Sequence, residues 1–301
     1  MSIIAFVLIA ISALLHAAWN LIAKKSKMTL PFYTVIATIC ALMWLHVQFW
    51  TPVLVLHLPH PFWMYLSGSV VSELLCCFGI IYAYRTMEMS TVYPMMRSLP
   101  LLLTTLLTAI LGWGKPLTPL TICGITIVFC GCVIIPLMKF SDFSIKSYLH
   151  RHFVFIIIVA LGTTSFTIFD SQCQAILREA YPDMSKPTVA LTYYSTRTLL
   201  LALSLWLLIL FRSSNRAEIK EYWKTRNYSP VYAGFAACMG YVLILLAMNY
   251  ITNVSYVQAF SQIGLVFGMA GGFIFLKEKC TITKIVGIVL ILSGLAISIL
   301  N

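Results

Sequence analysis

"GITIVFCG", residues 124–131, returns as "GIVLILSG" at residues 287–294, an offset of 163. Each copy is apolar and begins and ends in glycine. Seven residues is about two helical turns, so the two glycines of each copy share one helix face. The echo extends upstream. The segment beginning at Ala83 resembles the one beginning at Ala247, at an offset of 164, and Asn20 falls more weakly against Asp170. A chain that repeats itself over this distance is built from two related halves.

Composition says what the halves are made of. The 301 residues are 60% hydrophobic and only 10% charged, with a mean hydropathy of +0.93. Soluble domains carry about 25% charged residues. No soluble core of this size hides so much apolar surface, so the solvent is lipid. Ten apolar runs have the length of a membrane-spanning helix: 2–23, 31–52, 62–84, 91–112, 117–138, 153–174, 188–211, 230–250, 254–276 and 281–300. The first has no basic residue before it and a basic cluster, Lys24, Lys25 and Lys27, after it. That pattern predicts a retained membrane helix and not a cleaved signal.

The fold expected is an all-α integral membrane protein with ten transmembrane helices, arranged as two inverted five-helix repeats. The first repeat covers residues 1–140 and the second 151–301. Five is odd, so the second copy enters the membrane from the opposite side.

The net charge of +11 is distributed by topology and does not describe a nucleic-acid surface. Fourteen of the 20 Lys and Arg fall in the connections after odd-numbered helices, a fifteenth, Lys284, in the first turn of the tenth run, and three in the connections after even-numbered ones. The positive-inside rule then places the former in the cytoplasm and both termini outside. The longest connection, Arg212 to Ser229, is polar, and the basic balance of the chain leaves attraction to anionic lipid headgroups open. Eight of the nine cysteines lie in apolar runs, where they read as small reduced apolar residues. No phosphate-binding loop, nucleophile elbow or paired CxxC appears, so neither a cofactor nor a catalytic centre is expected.

Four ionisable residues sit deep in apolar runs: Glu73, Arg97, Asp170 and Arg197. Each costs about 2.5–3.5 kcal/mol at the bilayer centre on insertion scales, so they must face a wet cavity or one another. Arg97 stands between Pro94 and Pro100, which predicts an irregular stretch of the fourth helix with carbonyls freed toward a cavity. Arg97 suits a substrate anion or a pairing with Glu73. Glu73 and Asp170 suit a substrate cation or a coupled proton. Arg197, preceded by Tyr193 and Tyr194, reads as a snorkelling or packing residue. His16 titrates near neutral pH in its ordinary state and is a further proton-coupling candidate. It shares a helix face with Asn20, next to Trp19.

The repeat sets Pro94 against Gln258 and Arg97 against Ser261, which is followed by Gln262, so both helices present polar groups at equivalent depth. It also sets Pro100, Thr104 and Thr108 against Gly264, Gly268 and Gly272. A GxxxGxxxG row lets helix backbones approach closely, and it pairs helix 9 with helix 4. Tyr93, Tyr241 and Trp19 are candidates for an amphipathic wall.

The phrases "LLHAAWNLIAKK" (14–25), "STVYPMMRSLPLLLTTLLTAILG" (90–112) and "FLKEKCTITKIVGIVLILSG" (275–294) resemble the EamA family of the drug/metabolite transporter superfamily. The resemblance spans essentially the whole chain. It implies a multi-pass inner-membrane carrier, with the Tyr93–Arg97 segment at a central cavity between the halves. It also implies an acid at the end of the fourth and ninth helices. Glu278 fills the second position, whereas "LGWGKPLT" leaves the first without one. The expected function is secondary transport of a small polar or zwitterionic metabolite such as an amino acid or amine, with export favoured over uptake. A phosphate-bearing or lipid-linked substrate is the alternative, and a non-transporting membrane enzyme or assembly subunit is the contrasting class. The partners expected are a small-molecule substrate and the bilayer, with a homodimer left open.

Overall fold

The computed structural model describes residues 3–110, 118–144, 151–247 and 263–299. Ten apolar helices run through them: α1 Ile3–Lys25, α2 Leu30–Trp44, α3 His60–Thr86, α4 Met89–Ile110, α5 Pro119–Ile134, α6 Arg151–Ala180, α7 Lys186–Leu210, α8 Ser229–Ala247, α9 Ile263–Phe275 and α10 Ile282–Ile299. No strand occurs among the described residues. Five stretches are long and apolar enough to cross a membrane: Val7–Lys25, Leu30–Trp50, His60–Thr86, His152–Ala180 and Lys186–Leu210.

Local chemistry starts several of these helices. Thr29 caps α2, its hydroxyl accepting from the Phe32 amide at 3.2 Å, with Pro31 in the first turn. Ser185 caps α7 by accepting from the Thr188 amide at 3.3 Å, with Pro187 following. Proline in the first turn forfeits no helical bond, because that amide has no partner inside the helix.

The main packing runs between the halves. α3 lies along α6, α5 along α10 and α1 along α8, while α2 packs on both α7 and α8 and α4 on both α6 and α9. Glycines allow the closest approaches. A methyl group on Gly131 would lie 2.7 Å from the Gly287 carbonyl, and one on Gly294 would lie 2.6 Å from the Gly124 carbonyl. The two glycine-ended stretches therefore run antiparallel, backbone against backbone. Gly162 of α6 sits equally close to the Ser72 carbonyl of α3.

The glycine row of α9 is filled in three ways. Gly264 faces Ala13 of α1, Gly268 carries the Tyr93 ring of α4, and Gly272 makes room for the Glu278 carboxylate beside the Ser90 amide. That carboxylate accepts from the amides of Met89 at 2.6 Å and Ser90 at 2.8 Å, capping α4 from another helix. Lys24 donates to the carbonyls of Tyr84 and Met87, and Lys284 pairs with Glu88 and donates to Ser90 Oγ at 2.8 Å. Three charged side chains thus converge on the short turn between α3 and α4.

Three sequence expectations need correcting. The second apolar run does not form one helix: α2 stops at Trp44 and a single turn, Val47–Trp50, follows. The connection from Arg212 to Ser229 is not merely polar coil. It holds a helix at Ser213–Lys224, which a search for apolar runs passes over because charged and polar side chains dominate it. Finally, α4 is continuously helical through both prolines. Ser98 donates its hydroxyl to the Pro94 carbonyl at 2.8 Å, and Thr164 of α6 donates to the Pro100 carbonyl at 3.2 Å.

Candidate functional site

The helices enclose a cavity of about 260 Å³. α1 contributes His16, Trp19 and Asn20, α3 contributes Glu73, and α4 contributes Tyr93 and Arg97. Asp170 comes from α6, Arg197 from α7 and Tyr241 from α8. The ionisable and aromatic candidates named from sequence thus border one space. Gln258, Ser261 and Gln262 lie outside the described residues.

The charges divide into two unlike groups. In the first, Arg197 stands between two acids. Its Nη2 pairs with Glu73 Oε2, and its Nε lies 3.2 Å from Asp170 Oδ1. Spacing by four along each helix builds the rest. Ser69 lies one turn before Glu73 on α3, and Tyr193 lies one turn before Arg197 on α7, so each pair shares a face. Arg197 Nε donates to Ser69 Oγ at 2.8 Å, while Ser69 and Tyr193 both donate to Asp170 Oδ1 at 2.5 Å. Tyr33 of α2 donates to Glu73 Oε1 at 2.9 Å. The guanidinium carbon lies 5.0 Å from the Phe166 ring centre. Glu73 therefore pairs with Arg197, and the expected pairing with Arg97 does not form. Arg197 neither snorkels nor merely packs: it is 6% exposed and holds two carboxylates. Two acids against one base leave this cluster with a formal charge of −1.

The second group is Arg97 and its surroundings. Arg97 makes no ion pair or hydrogen bond among the described residues. One turn before it on the same face, Tyr93 is 1% exposed, and its hydroxyl is buried without a partner among the described residues. Nearby, Trp19 Nε1 donates to His16 Nδ1 at 3.3 Å, so His16 presents a lone pair to that bond. Asn20 donates to the His16 carbonyl at 2.8 Å and accepts from the Tyr84 hydroxyl at 2.6 Å. Tyr241 stacks on Tyr194, ring centres 4.6 Å apart, as a flat aromatic wall.

Tyr33, Ser69 and Tyr193 are members of the acid cluster that the sequence does not announce. The i, i+4 spacings of Ser69 with Glu73 and of Tyr193 with Arg197 are the available signal. The partner helices cannot be inferred from spacing. Among the described residues no group of His, Cys, Asp and Glu is arranged to hold a metal ion.

An apolar helical bundle with ionisable groups around an internal cavity is the architecture of a membrane carrier. The family comparison agrees. Residues 153–300 match the EamA-like transporter family, part of the drug/metabolite transporter superfamily. Members of the family are membrane transporters. A search of curated proteins returns no match. Among solved structures, one chain described as "Crystal structure of protein" is similar, with a TM-score of 0.49 and 18% identity, over 97% of this chain and 95% of that one.

Proposed function

We propose that this chain is a secondary transporter of the inner membrane that exports a small polar or zwitterionic metabolite, of the size of an amino acid or amine. The observation that carries the reading is Arg97, a guanidinium without a partner among the described residues, bordering the same cavity as a cluster of formal charge −1. A substrate anion fits Arg97 and the Tyr93 hydroxyl, which has no partner among the described residues. A substrate cation, or a proton exchanged for it, fits Glu73 and Asp170. Trp19 and Tyr241 cover the apolar part. The volume of about 260 Å³ lies just under the roughly 300–1,000 Å³ of drug-sized pockets, which favours a small metabolite.

Alternating access between two inverted halves is the proposed mechanism, and the glycine contacts support it. Shifting by the repeat offset of 163 turns Gly124 into Gly287 and Gly131 into Gly294. The contact of Gly131 with Gly287 then becomes that of Gly294 with Gly124, which is the other close contact of the pair. α5 and α10 are repeat-mates and antiparallel. A two-fold axis relating antiparallel helices is perpendicular to them, and hence lies in the membrane plane. The α1–α8 and α6–α3 pairs agree. Ser12 donates to the Gly240 carbonyl at 2.6 Å, and at offsets of 150 and 164 this becomes Gly162 against Cys76, whose Cβ lies 3.1 Å from where a methyl on Gly162 would sit.

Thermal-shift screening of the purified protein against a metabolite library, followed by flux in proteoliposomes, tests the reading. Binding stabilises by mass action, so even a weak ligand registers at high concentration. A zwitterionic amino acid or amine should raise the melting temperature and be transported down an imposed gradient. A library in which no small polar compound does either overturns the proposal. The Arg97 guanidinium favours a second reading as well, a phosphate-bearing metabolite, because its planar fork matches phosphate oxygens. Stabilisation by phosphorylated compounds alone selects it.

A further inference from the structure

The helix Ser213–Lys224 plays no part in the cavity. Its inward face is fixed by Ile219, which is 8% exposed, and by Tyr222 and Glu218. Tyr222 donates to Glu218 Oε1 at 2.5 Å and meets the Phe32 ring edge-on at 6.4 Å, while Glu218 accepts from Thr29 at the start of α2. With that face settled, the opposite face is determined by the 100° step of the helix. Arg216, Lys220 and Lys224 follow one another at intervals of four, and all three are exposed. Glu218 is turned inward, and the exposed Glu221 stands about 100° around the helix from Lys220 and about 60° from Lys224. The outer face therefore carries three cations in a row, with one exposed acid, Glu221, along its edge.

Its position says what the cations meet. The helix begins three residues after the apolar stretch Lys186–Leu210, and Arg216 donates back to the Leu210 carbonyl at the end of that stretch. The apolar side chains there, Leu207, Leu210 and Phe211, are 58%, 58% and 85% exposed, as lipid-facing residues are. At the other end Trp223 and Tyr228 are both exposed and pack edge-on, ring centres 6.3 Å apart. Exposed tryptophan and tyrosine mark the membrane–water boundary. A cationic face starting at the lipid-exposed end of a membrane helix and flanked by boundary aromatics is complementary to anionic phospholipid headgroups.

We infer that Arg216, Lys220 and Lys224 form a docking surface for anionic phospholipid headgroups of the leaflet next to the end of α7.

The test uses the full chain in mixed micelles containing either phosphatidylglycerol or phosphatidylcholine, with melting temperature as the readout. Phosphatidylglycerol should stabilise the wild-type protein more than phosphatidylcholine does, and high salt should remove the difference. R216Q/K220Q/K224Q should melt like wild type in phosphatidylcholine and lose most of the phosphatidylglycerol increment. Its apparent affinity should fall on the order of 100-fold at low ionic strength, from about one kcal/mol per cation. K25Q/K27Q/K277Q removes three exposed charges elsewhere and should keep the increment. Inorganic phosphate should not reproduce it. If the triple variant folds poorly, Lys220→Gln alone, exposed and without a bonding partner among the described residues, should still lose several-fold in affinity. An unchanged increment in the helix variants, an equal loss in the control variant, or no difference between the two lipids in the wild type overturns the inference. So does loss of an acidic soluble protein partner, on mutating the helix, with lipid response intact.

Discussion

Arg197 of α7 holds Glu73 of α3 and Asp170 of α6 at once, its Nη2 on the first and its Nε 3.2 Å from the second. Three helices from both halves therefore meet at one guanidinium. Removing a single member leaves a charge buried without compensation. Arg197→Gln should destabilise by about 3–5 kcal/mol, the range for breaking a buried pair from one side. Adding Glu73→Gln should recover part of that loss. Denaturation in detergent measures both, and equal stability for wild type and Arg197→Gln would contradict the cluster.

Arg97 should behave in the opposite way. It holds no carboxylate among the described residues, so Arg97→Gln should leave the melting temperature near that of the wild type. Transport should fall at least about tenfold if the guanidinium binds substrate, a difference of about 1.4 kcal/mol. Arg97→Lys keeps the charge but not the planar fork, and should retain only part of the activity. Flux measurements alongside melting curves separate the two arginines. A fully active Arg97→Gln protein would remove Arg97 from the site.

Gly268 supports the Tyr93 ring, and a methyl group there would overlap it. Gly268→Ala should cost about 1–3 kcal/mol by overpacking. In the double variant with Tyr93→Ala the cost of adding the methyl should largely vanish, because the two residues are in contact and their effects do not add. A double-mutant cycle with no coupling would refute the seating of the ring.

Glu278 caps α4 through two backbone amides, although it follows α9 in the chain. Glu278→Gln keeps one acceptor oxygen and loses the charge, so it should destabilise by about 1–2 kcal/mol. Amide exchange should accelerate at Met89 and Ser90 before it does elsewhere in α4. Unchanged protection at those two amides would be inconsistent with the cap.

Charge distribution sets a topology that can be measured directly. In a protein lacking the exposed cysteines Cys123, Cys130 and Cys280, an impermeant thiol reagent should label Asp183→Cys in intact cells. It should label Ala217→Cys only after permeabilisation. The reverse pattern would invert the orientation given by the positive-inside reading.

Depth in the membrane is legible in the sequence, and rotation about a helix axis is not. Glu73, Arg97, Asp170 and Arg197 can each be placed along a helix from the run that contains it, and all four border the cavity. Which of them touch depends on how helices turn about their own axes, and no spacing within one helix reports that. Hence chain proximity matches Glu73 with Arg97, the nearer arginine, whereas α7 delivers Arg197 to it. The helix Ser213–Lys224 is hidden for a different reason. Apolar runs reveal membrane helices, and this one is held by a single buried isoleucine and hydrogen bonds to Thr29. The prolines of α4 mislead because their cost is visible in the sequence and the continuity of the helix through them is not.

The dominance of packing between the halves has a consequence for biosynthesis. α3 finds its main neighbour in α6 and its counter-charge in α7, and both are made later. While the ribosome is still translating the second half, Glu73 sits in a nascent chain with no guanidinium to meet it. A lone carboxyl group there is costly, so the unfinished chain should be held in the translocon or at its lipid edge. The pairing waits for Arg197 to emerge. The second half thus completes the first as a template completes a fold, and a ribosome that stalls between α5 and α7 should release a product marked for degradation.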